Sequence, residues 1–358
     1  MVTISLCMIV KNEEAVLGRC LESISGIVDE IIVVDTGSSD GTKRIARKFT
    51  KNIYDFKWVD DFSKARNFSF SKATKEYILW LDADDVVSEG DRNKLVELKK
   101  TLAQDTDIVM MTYELGHNTH SSRERLLRRD RNYQWQDPVH EYIPLFGKII
   151  KRPDIKITHS AEHKNVKSDR NLKIYQSILQ RDSTLSPRSK FYYARELKDH
   201  AKYAEAILFF ENFLEEGKGW REDNISACFD IAICSNRLSQ FEKAHAALIR
   251  SFNYDAPRAE ICCLLGYYYK NKSQFKAAAT WFQIALNLPT NDEMGFVLRD
   301  YHGYIPAIEL AVCYDAMQLY QKANQFNELA GKVKPDSAEY LQNKLYFSTK
   351  IKPLHNMD

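Results

Sequence analysis

Long hydrophobic runs, closely paired cysteines and an excess of one charge are all missing from this 358-residue chain. No run approaches about 18 consecutive apolar residues, so we expect no membrane-spanning helix. The seven cysteines include no Cys-x-x-Cys pair, which favours reduced, structural thiols and a cytoplasmic location. The 51 Lys and Arg nearly balance the 49 Asp and Glu, so the charge does not indicate a nucleic-acid partner.

Two common nucleotide-binding signatures are also missing. The chain has neither a Gly-x-Gly-x-x-Gly fingerprint nor the Walker A spacing, which argues against dinucleotide and P-loop sites. The N-terminal segment MVTISLCMIVKNEE has no basic region before its apolar residues. It therefore predicts a first strand and not a signal peptide.

The first part of the chain alternates apolar runs with amphipathic segments. Such alternation is typical of an α/β domain with a Rossmann-like, mostly parallel sheet covered by helices, which we assign to residues 1–165. The apolar runs predict strands at Val2–Val10, Ile31–Asp35, Tyr77–Asp82 and Asp107–Thr112, and the segments between them predict helices at Glu13–Ser25, Gly41–Phe49, Phe62–Lys72 and Asp91–Leu102.

Residues 166–358 show a different, repeated pattern. Small residues recur with a shift of 34, from Ala232 to Gly266 and from Ala244 to Ala278. This is the tetratricopeptide period, in which small residues lie where two helices touch. Looser copies flank these two, so we predict an all-α tetratricopeptide domain that follows the α/β domain.

Acidic residues follow the third predicted strand. Asp82-Ala83-Asp84 comes directly after the apolar run YILWL. In an extended segment, residues i and i+2 point to the same side, and two carboxylates so placed suit a hard cation such as Mg²⁺ or Mn²⁺. Turn or helix-cap chemistry is the alternative interpretation of the triplet.

A glycine- and serine-rich turn, Thr36–Thr42, follows the second predicted strand. It predicts a turn that caps the next helix. Asp35, at the end of the strand, is a different case, because a carboxylate there can accept hydrogen bonds from a base N–H or a ribose hydroxyl.

Five segments in this order resemble the family 2 glycosyltransferases of the GT-A fold: SLCMIVKNEE, IIVVDTGSSDGT, DFSKARNFSF, YILWLDADD and the run from Trp135 to Glu141. The resemblance implies a UDP-linked sugar donor and Mn²⁺ or Mg²⁺. It implies a nucleoside pocket and a metal-binding segment, with Asp84 the main metal ligand. The residues that would contact the donor or its cation are Val10, Asn12, Glu13, Asp35, Arg66, Asn67, Asp82, Ala83 and Asp84, with Asp35 on the uracil.

The same resemblance suggests an acceptor side. Glu141 or Asp137 would act as general base, and His140 would bind the metal or orient the base. His159 is a second candidate metal ligand beside Asp82 and Asp84. The arginine-rich run Arg123–Arg131 predicts a strand with one or two arginines facing the diphosphate.

The combination of a catalytic domain with helical repeats predicts a function. It resembles the sublancin-type enzymes that glycosylate Cys or Ser of bacteriocin precursor peptides, which implies an inverting transfer from a UDP-sugar to a peptide or protein. A surface-polysaccharide or flagellin glycosyltransferase is the close alternative, and the repeats could instead serve homodimerisation. A non-catalytic repeat scaffold and a nucleotidyltransferase are further alternatives, although the latter would need a glycine-rich loop after the first strand.

Overall fold

The computed structural model describes residues 1–116, 119–160, 169–289 and 297–351. These residues form two compact units that divide between Leu185 and Ser186. The predicted boundary at residues 165 and 166 lies outside the described residues.

The first unit contains a mixed sheet with helices on both faces. Its eight strands run in the order β3-β2-β1-β4-β7-β6-β8-β5. The four neighbouring strands β3, β2, β1 and β4 are parallel to one another, whereas β7 pairs antiparallel with both β4 and β6. The elements are β1 Ile4–Val10, α1 Leu17–Ile24, β2 Glu30–Asp35, α2 Thr42–Ala46, β3 Ile53–Asp55, α3 Phe62–Phe70, β4 Tyr77–Trp80, β5 Asp85–Val86, α4 Glu89–Thr101, β6 Ile108–Glu114, β7 Thr119–Arg128, β8 Ile149–His159 and α5 Arg170–Asp182.

Alternate residues of the central strands enter two hydrophobic layers. Leu6 and Met8 of β1 belong to the layer on one face, whereas Cys7 belongs to the layer on the other. Burial on both faces explains why these strands read as continuous apolar runs. The predicted α/β class is confirmed.

The register brings the ends of the strands together. Val10 at the end of β1 lies opposite Asp35 at the end of β2, and Asp82 follows two residues after β4 ends at Trp80. Ligands of open α/β sheets bind at this carboxyl edge.

The second unit consists mainly of paired helices. The predicted all-α repeat domain is confirmed, and four helix pairs share one turn geometry. In each, a residue two positions past the first helix has a left-handed backbone, namely Ala201, Ser239, Ser273 or Gln318. The elements are α6 Pro187–Asp199, α7 Tyr203–Glu215, α8 Arg221–Arg237, α9 Phe241–Arg250, α10 Ala259–Asn271, α11 Phe275–Asn287, β9 Val297–Leu298, α12 Tyr304–Ala316, α13 Tyr320–Val333 and α14 Ala338–Lys350.

Small residues allow the paired helices to approach closely. A Cβ atom placed on Gly266 of α10 would lie 2.7 Å from the ring of Phe282 on α11, which is too close for any other residue. Ala244 and Ala278, the other pair that revealed the repeat, are buried.

All seven cysteines are buried and form no disulfide. Burial raises the pKa of the Cys262 thiol to about 12, so this thiol stays protonated and behaves as a small apolar side chain. Within the described ranges, no helix is both long and apolar enough to cross a bilayer.

Candidate active site

A polar cavity of about 410 Å³ opens at the carboxyl edge of the sheet. Residues from the strand ends line it together with residues from α3, from the segment after β7 and from the start of α5. Of the predicted site residues, the cavity lining includes Val10, Glu13, Arg66, Asp82, Ala83, Asp84, His140, Glu141 and His159.

The segment that follows β4 forms one wall. Its base is Asp85, whose buried carboxylate accepts hydrogen bonds from Tyr113 Oη at 2.9 Å and from Arg125 Nη1 at 3.1 Å. The backbone N–H of Asp82 donates to the same carboxylate at 3.0 Å. Because the Arg125 guanidinium is itself fully buried beside Trp80 and Tyr113, this wall is held by a charged network in the protein interior.

Asp84 and His159 lie together at the cavity surface. Pairing of β5 with β8 places His159 opposite Asp85, and His159 Nδ1 lies 3.4 Å from Asp84 Oδ1. The contact with Asp84 raises the pKa of the His159 imidazole, although partial burial opposes this.

Potential ligand atoms of Asp84, Asp85 and His159 all lie within 4.8 Å of one another. Two carboxylates and an imidazole form a donor set that fits a hard divalent cation, with the nitrogen suiting Mn²⁺ better than Mg²⁺. The predicted set was Asp82, Asp84 and His159. The geometry groups Asp85 with the last two, whereas Asp82 faces Arg66.

Arg66 of α3 bridges two carboxylates. Its Nη2 donates to Asp82 Oδ1 at 2.8 Å, and its Nε donates to Glu141 Oε1 at 2.6 Å. Burial opposes the charge on Arg66, but the two carboxylates outweigh it and raise the pKa of the guanidinium. For the Asp82 carboxyl group, burial alone would raise the pKa. The positive charges of Arg66 and, less strongly, of Arg125 outweigh burial and hold this pKa below its usual value.

Glu141 lies on a short loop with unusual backbone geometry. A bridge between Gln136 and Tyr142 closes this loop, and both Asp137 and His140 have left-handed φ angles, of 66° and 54°. Such conformations are uncommon for residues other than glycine and often occur at functional sites. The loop is anchored where the backbone N–H of Phe62 donates to the carbonyl of Pro138 at 2.8 Å.

The first two strand ends form the opposite part of the site. Val10, Glu13 and Thr36 line the cavity. Asp35 lies beneath them, and its Oδ1 accepts hydrogen bonds from the backbone of Gly37 and Ser38 in its own turn. Its Oδ2 is buried and has no hydrogen-bond partner among the described residues.

Four predicted residues, Asn12, Asp35, Asn67 and Asp137, are not part of the cavity lining. The amide of Asn67 exchanges two hydrogen bonds with the backbone of Trp135, at 2.9 and 2.8 Å, and therefore ties α3 to the segment that carries Glu141. Asn12 Oδ1 accepts a hydrogen bond from the backbone of Ser39 at 2.8 Å, which fixes the turn after β2.

Sequence reasoning missed several lining residues. Trp58 and Phe62 pack edge to face, with ring centroids 4.8 Å apart, and Arg170 at the start of α5 lies 4.6 Å from the Phe62 ring. The strand prediction for Arg123–Arg131 placed arginines near the site without choosing among them. Of these, Arg123 lines the cavity. The lining residues outside every segment singled out in the sequence are Trp58, Tyr113, Arg170 and Asn171, whereas Lys11 and Phe62 lie in the family segments but were given no role.

A mixed α/β sheet that presents an Asp-x-Asp segment at its carboxyl edge is typical of GT-A domains. Residues 5–158 match the family described as Glycosyl transferase family 2. This region of the chain is therefore a family 2 glycosyltransferase domain, and here it is joined to tetratricopeptide repeats. The resemblance found in the sequence is confirmed.

Three relatives illustrate the range of similar proteins. A TPR repeat-containing protein of Synechococcus elongatus is 38% identical over 161 residues, which cover 44% of this chain and 40% of that protein. The SPbeta prophage-derived glycosyltransferase SunS of Bacillus subtilis is 29% identical over 238 residues, covering 62% and 55%. The lipopolysaccharide core biosynthesis glycosyltransferase LpsC of Rhizobium meliloti is 28% identical over 162 residues, covering 41% and 58%. The chain thus spans about half the length of these curated relatives.

Proposed function

We propose that this protein transfers a sugar from a UDP-sugar to a peptide or protein acceptor, with the help of a divalent cation. The observation that carries the proposal is the cavity itself. Within one space it joins the Asp84 and His159 pair, the Glu141 carboxylate and the ends of β1 and β2. A transferase needs these three elements for the donor's phosphates, the acceptor and the nucleoside.

The nucleoside would bind at the ends of β1 and β2. Val10 supplies an apolar contact there, and Asp35 Oδ2 is a buried acceptor that has no hydrogen-bond partner among the described residues. A buried acceptor without a hydrogen bond lowers the stability of the protein. A base N–H that donates to Asp35 Oδ2 would therefore contribute more binding free energy than a hydrogen bond exposed to solvent. This supports a base that carries an N–H donor, as uracil does.

The diphosphate would lie beside Asp84 and His159, which would hold the cation. When bound, a Mn²⁺ or Mg²⁺ ion would neutralise the charge that develops on the leaving diphosphate. Two cationic side chains that also line the cavity, Arg123 and Lys11, are placed to add to this stabilisation. His140 lines the same cavity and stays a candidate for orienting the base.

Glu141 would act as the general base. Its carboxylate is mostly buried, at 11% exposure, and its orientation is fixed by Arg66. A base held in one position can remove the acceptor proton while the acceptor attacks the anomeric carbon. Attack from the side opposite the leaving diphosphate would invert the configuration at that carbon, as in single-displacement glycoside chemistry.

The repeat unit supports a peptide or protein as the acceptor. Tetratricopeptide arrays present extended surfaces that suit peptide segments. The similarity to a lipopolysaccharide core glycosyltransferase over 162 residues favours a surface saccharide as the second candidate acceptor. Dimerisation is the other use that we propose for the repeats. A non-catalytic scaffold is disfavoured because the Asp84, His159 and Glu141 side chains all line one cavity.

The proposal is tested by incubating the protein with Mn²⁺ and UDP-glucose, UDP-galactose or their N-acetyl forms. We expect slow release of UDP without an acceptor, because water can replace the acceptor. Asp84→Ala should reduce the release by about 10³-fold or more, since a bound metal contributes several kcal/mol.

The thermal unfolding temperature of Asp84→Ala should match that of the wild type, because its side chain lies at the cavity surface. Asp105→Ala removes a carboxylate that is 68% exposed and paired with Lys148, and it should keep full activity. Full activity of Asp84→Ala would disprove the metal assignment. Absence of UDP binding by the wild type would disprove the proposed function.

A further inference from the structure

Arg66 has an environment that a nucleotide-binding arginine would not need. Its guanidinium donates to two carboxylates that are far apart in sequence, Asp82 and Glu141. The side chain is only 11% exposed. With its Nε and Nη2 used by protein carboxylates, Arg66 is poorly placed to serve as the main counter-charge for a diphosphate.

Aromatic rings fix the plane of the guanidinium. Its central carbon lies 5.2 Å from the Trp80 ring centroid and 4.9 Å from that of Trp135. Both indoles are buried and pack against each other at 4.9 Å between centroids. Cation–π contacts of this kind are strongest where water is excluded, so they restrict the rotation and the tilt of Arg66.

The next residue along α3 fixes the partner loop. Asn67 holds the backbone of Trp135 through two hydrogen bonds, and the loop with Glu141 begins one residue after Trp135. Adjacent residues of one helix therefore hold both the backbone and the catalytic carboxylate of this loop.

We propose that Arg66 is a positioning residue, which holds Glu141 at a fixed distance from Asp82 and from the strand end that carries the metal-binding segment. This role presupposes the proposed transferase function. It differs from the nucleotide contact that the family resemblance implies for Arg66. The planar guanidinium of arginine has several N–H donors and can bind two carboxylates at once. The ammonium group of lysine is a point charge and cannot reproduce this bridge.

The test compares Arg66→Met, which fills the space beside the two indoles without a charge, with Arg66→Lys. The kcat and KM for hydrolysis of the UDP-sugar preferred by the wild type are measured with Mn²⁺. Binding of UDP with Mn²⁺ is measured separately by calorimetry. We expect kcat to fall by about 10²-fold in both variants, the loss typical of a misplaced catalytic group. The Kd for UDP should stay within about threefold of the wild-type value, because only positioning is lost.

Two further measurements separate positioning from folding. In Arg66→Ala, added guanidinium ions should restore part of kcat, which would not occur if the arginine were needed only for stability. Combining Arg66→Met with Glu141→Gln should reduce kcat little beyond Glu141→Gln alone, because both changes disable the same group. Arg181→Ala, which removes a largely exposed arginine paired with its neighbour Asp182, controls for loss of positive charge.

Three results would overturn the inference: wild-type kcat in Arg66→Met, a loss of UDP affinity as large as the loss of kcat, or independent, multiplying effects of Arg66→Met and Glu141→Gln. Failure of the proposed function would be seen differently, in a wild-type protein that neither binds UDP with Mn²⁺ nor hydrolyses any UDP-sugar.

Discussion

The cavity of the first unit and the helix pairs of the second depend on different kinds of buried residue. In the first unit, buried arginines such as Arg66 and Arg125 pair with carboxylates beneath and within the cavity. In the second unit, glycines such as Gly266 let one helix approach an aromatic ring of the next. Removing one partner of a buried ion pair leaves an uncompensated charge and destabilises the protein, and enlarging a residue in a close-packed contact is destabilising as well. Changing a buried charge beside the cavity should therefore cost the first unit activity in addition to stability, whereas enlarging a small residue should cost the second unit stability alone.

The largest expected effect tests the first half of this contrast. Glu141→Gln keeps the shape of the side chain but removes the base, so kcat should fall by about 10²- to 10⁴-fold. The Kd for UDP with Mn²⁺ should not change, because our proposal assigns Glu141 to the acceptor side. Steady-state hydrolysis and calorimetry measure the two quantities.

The alternative base provides the matched comparison. Asp137 lies on the same loop but is not part of the cavity lining, so Asp137→Asn should retain most of the activity. A large loss in Asp137→Asn together with a small loss in Glu141→Gln would reverse the assignment of the base.

A smaller effect tests the second half of the contrast. Gly266→Ala places a methyl group against the buried Phe282 ring and should lower the free energy of unfolding by about 1–3 kcal/mol. Gly90→Ala, in α4 of the first unit, meets no atom closer than Ser88 Oγ at 4.0 Å. It should instead add about 0.5–1 kcal/mol, because alanine favours the helix. Urea unfolding of both variants would contradict this account if the two shifts had the same sign.

The fold could be predicted from the sequence where local pattern and burial agree. The strands β1, β2, β4 and β6 were found because both of their faces are covered and their residues are apolar. β3 and β5 were missed, since strands of three and two residues have no periodicity to detect. In the repeats, the shift of 34 appears only between the two central pairs, although the same turn occurs in all four. The flanking shifts differ because α8 has 17 residues where α6 has 13, and because the connection from α11 to α12 is longer than the connections between the other pairs.

The candidate site was predictable wherever a motif carried its own chemistry. Asp84, His159 and Glu141 were predicted in this way, and the three side chains line one cavity. The role of Asp85 was not predictable, because it depends on pairing between β5 and β8 and on an arginine 40 positions away. Asn67 was assigned to the nucleotide, yet its amide binds a backbone 68 positions away. Such partners are set by tertiary structure and leave no local pattern.

The smallest expected effect tests whether the common turn limits the stability of the repeats. Ala201 adopts a φ of 58°, a left-handed conformation that costs a residue other than glycine about 1 kcal/mol. Its methyl side chain cannot offset this cost with a hydrogen bond, so Ala201→Gly should raise the free energy of unfolding by about 0.5–1 kcal/mol. Ala204→Gly, three residues later in α7, should lower it by a similar amount, because glycine disfavours the helix. Equal destabilisation by both substitutions in urea unfolding would contradict this account. The left-handed conformation of Ala201 would then cost the protein no measurable stability.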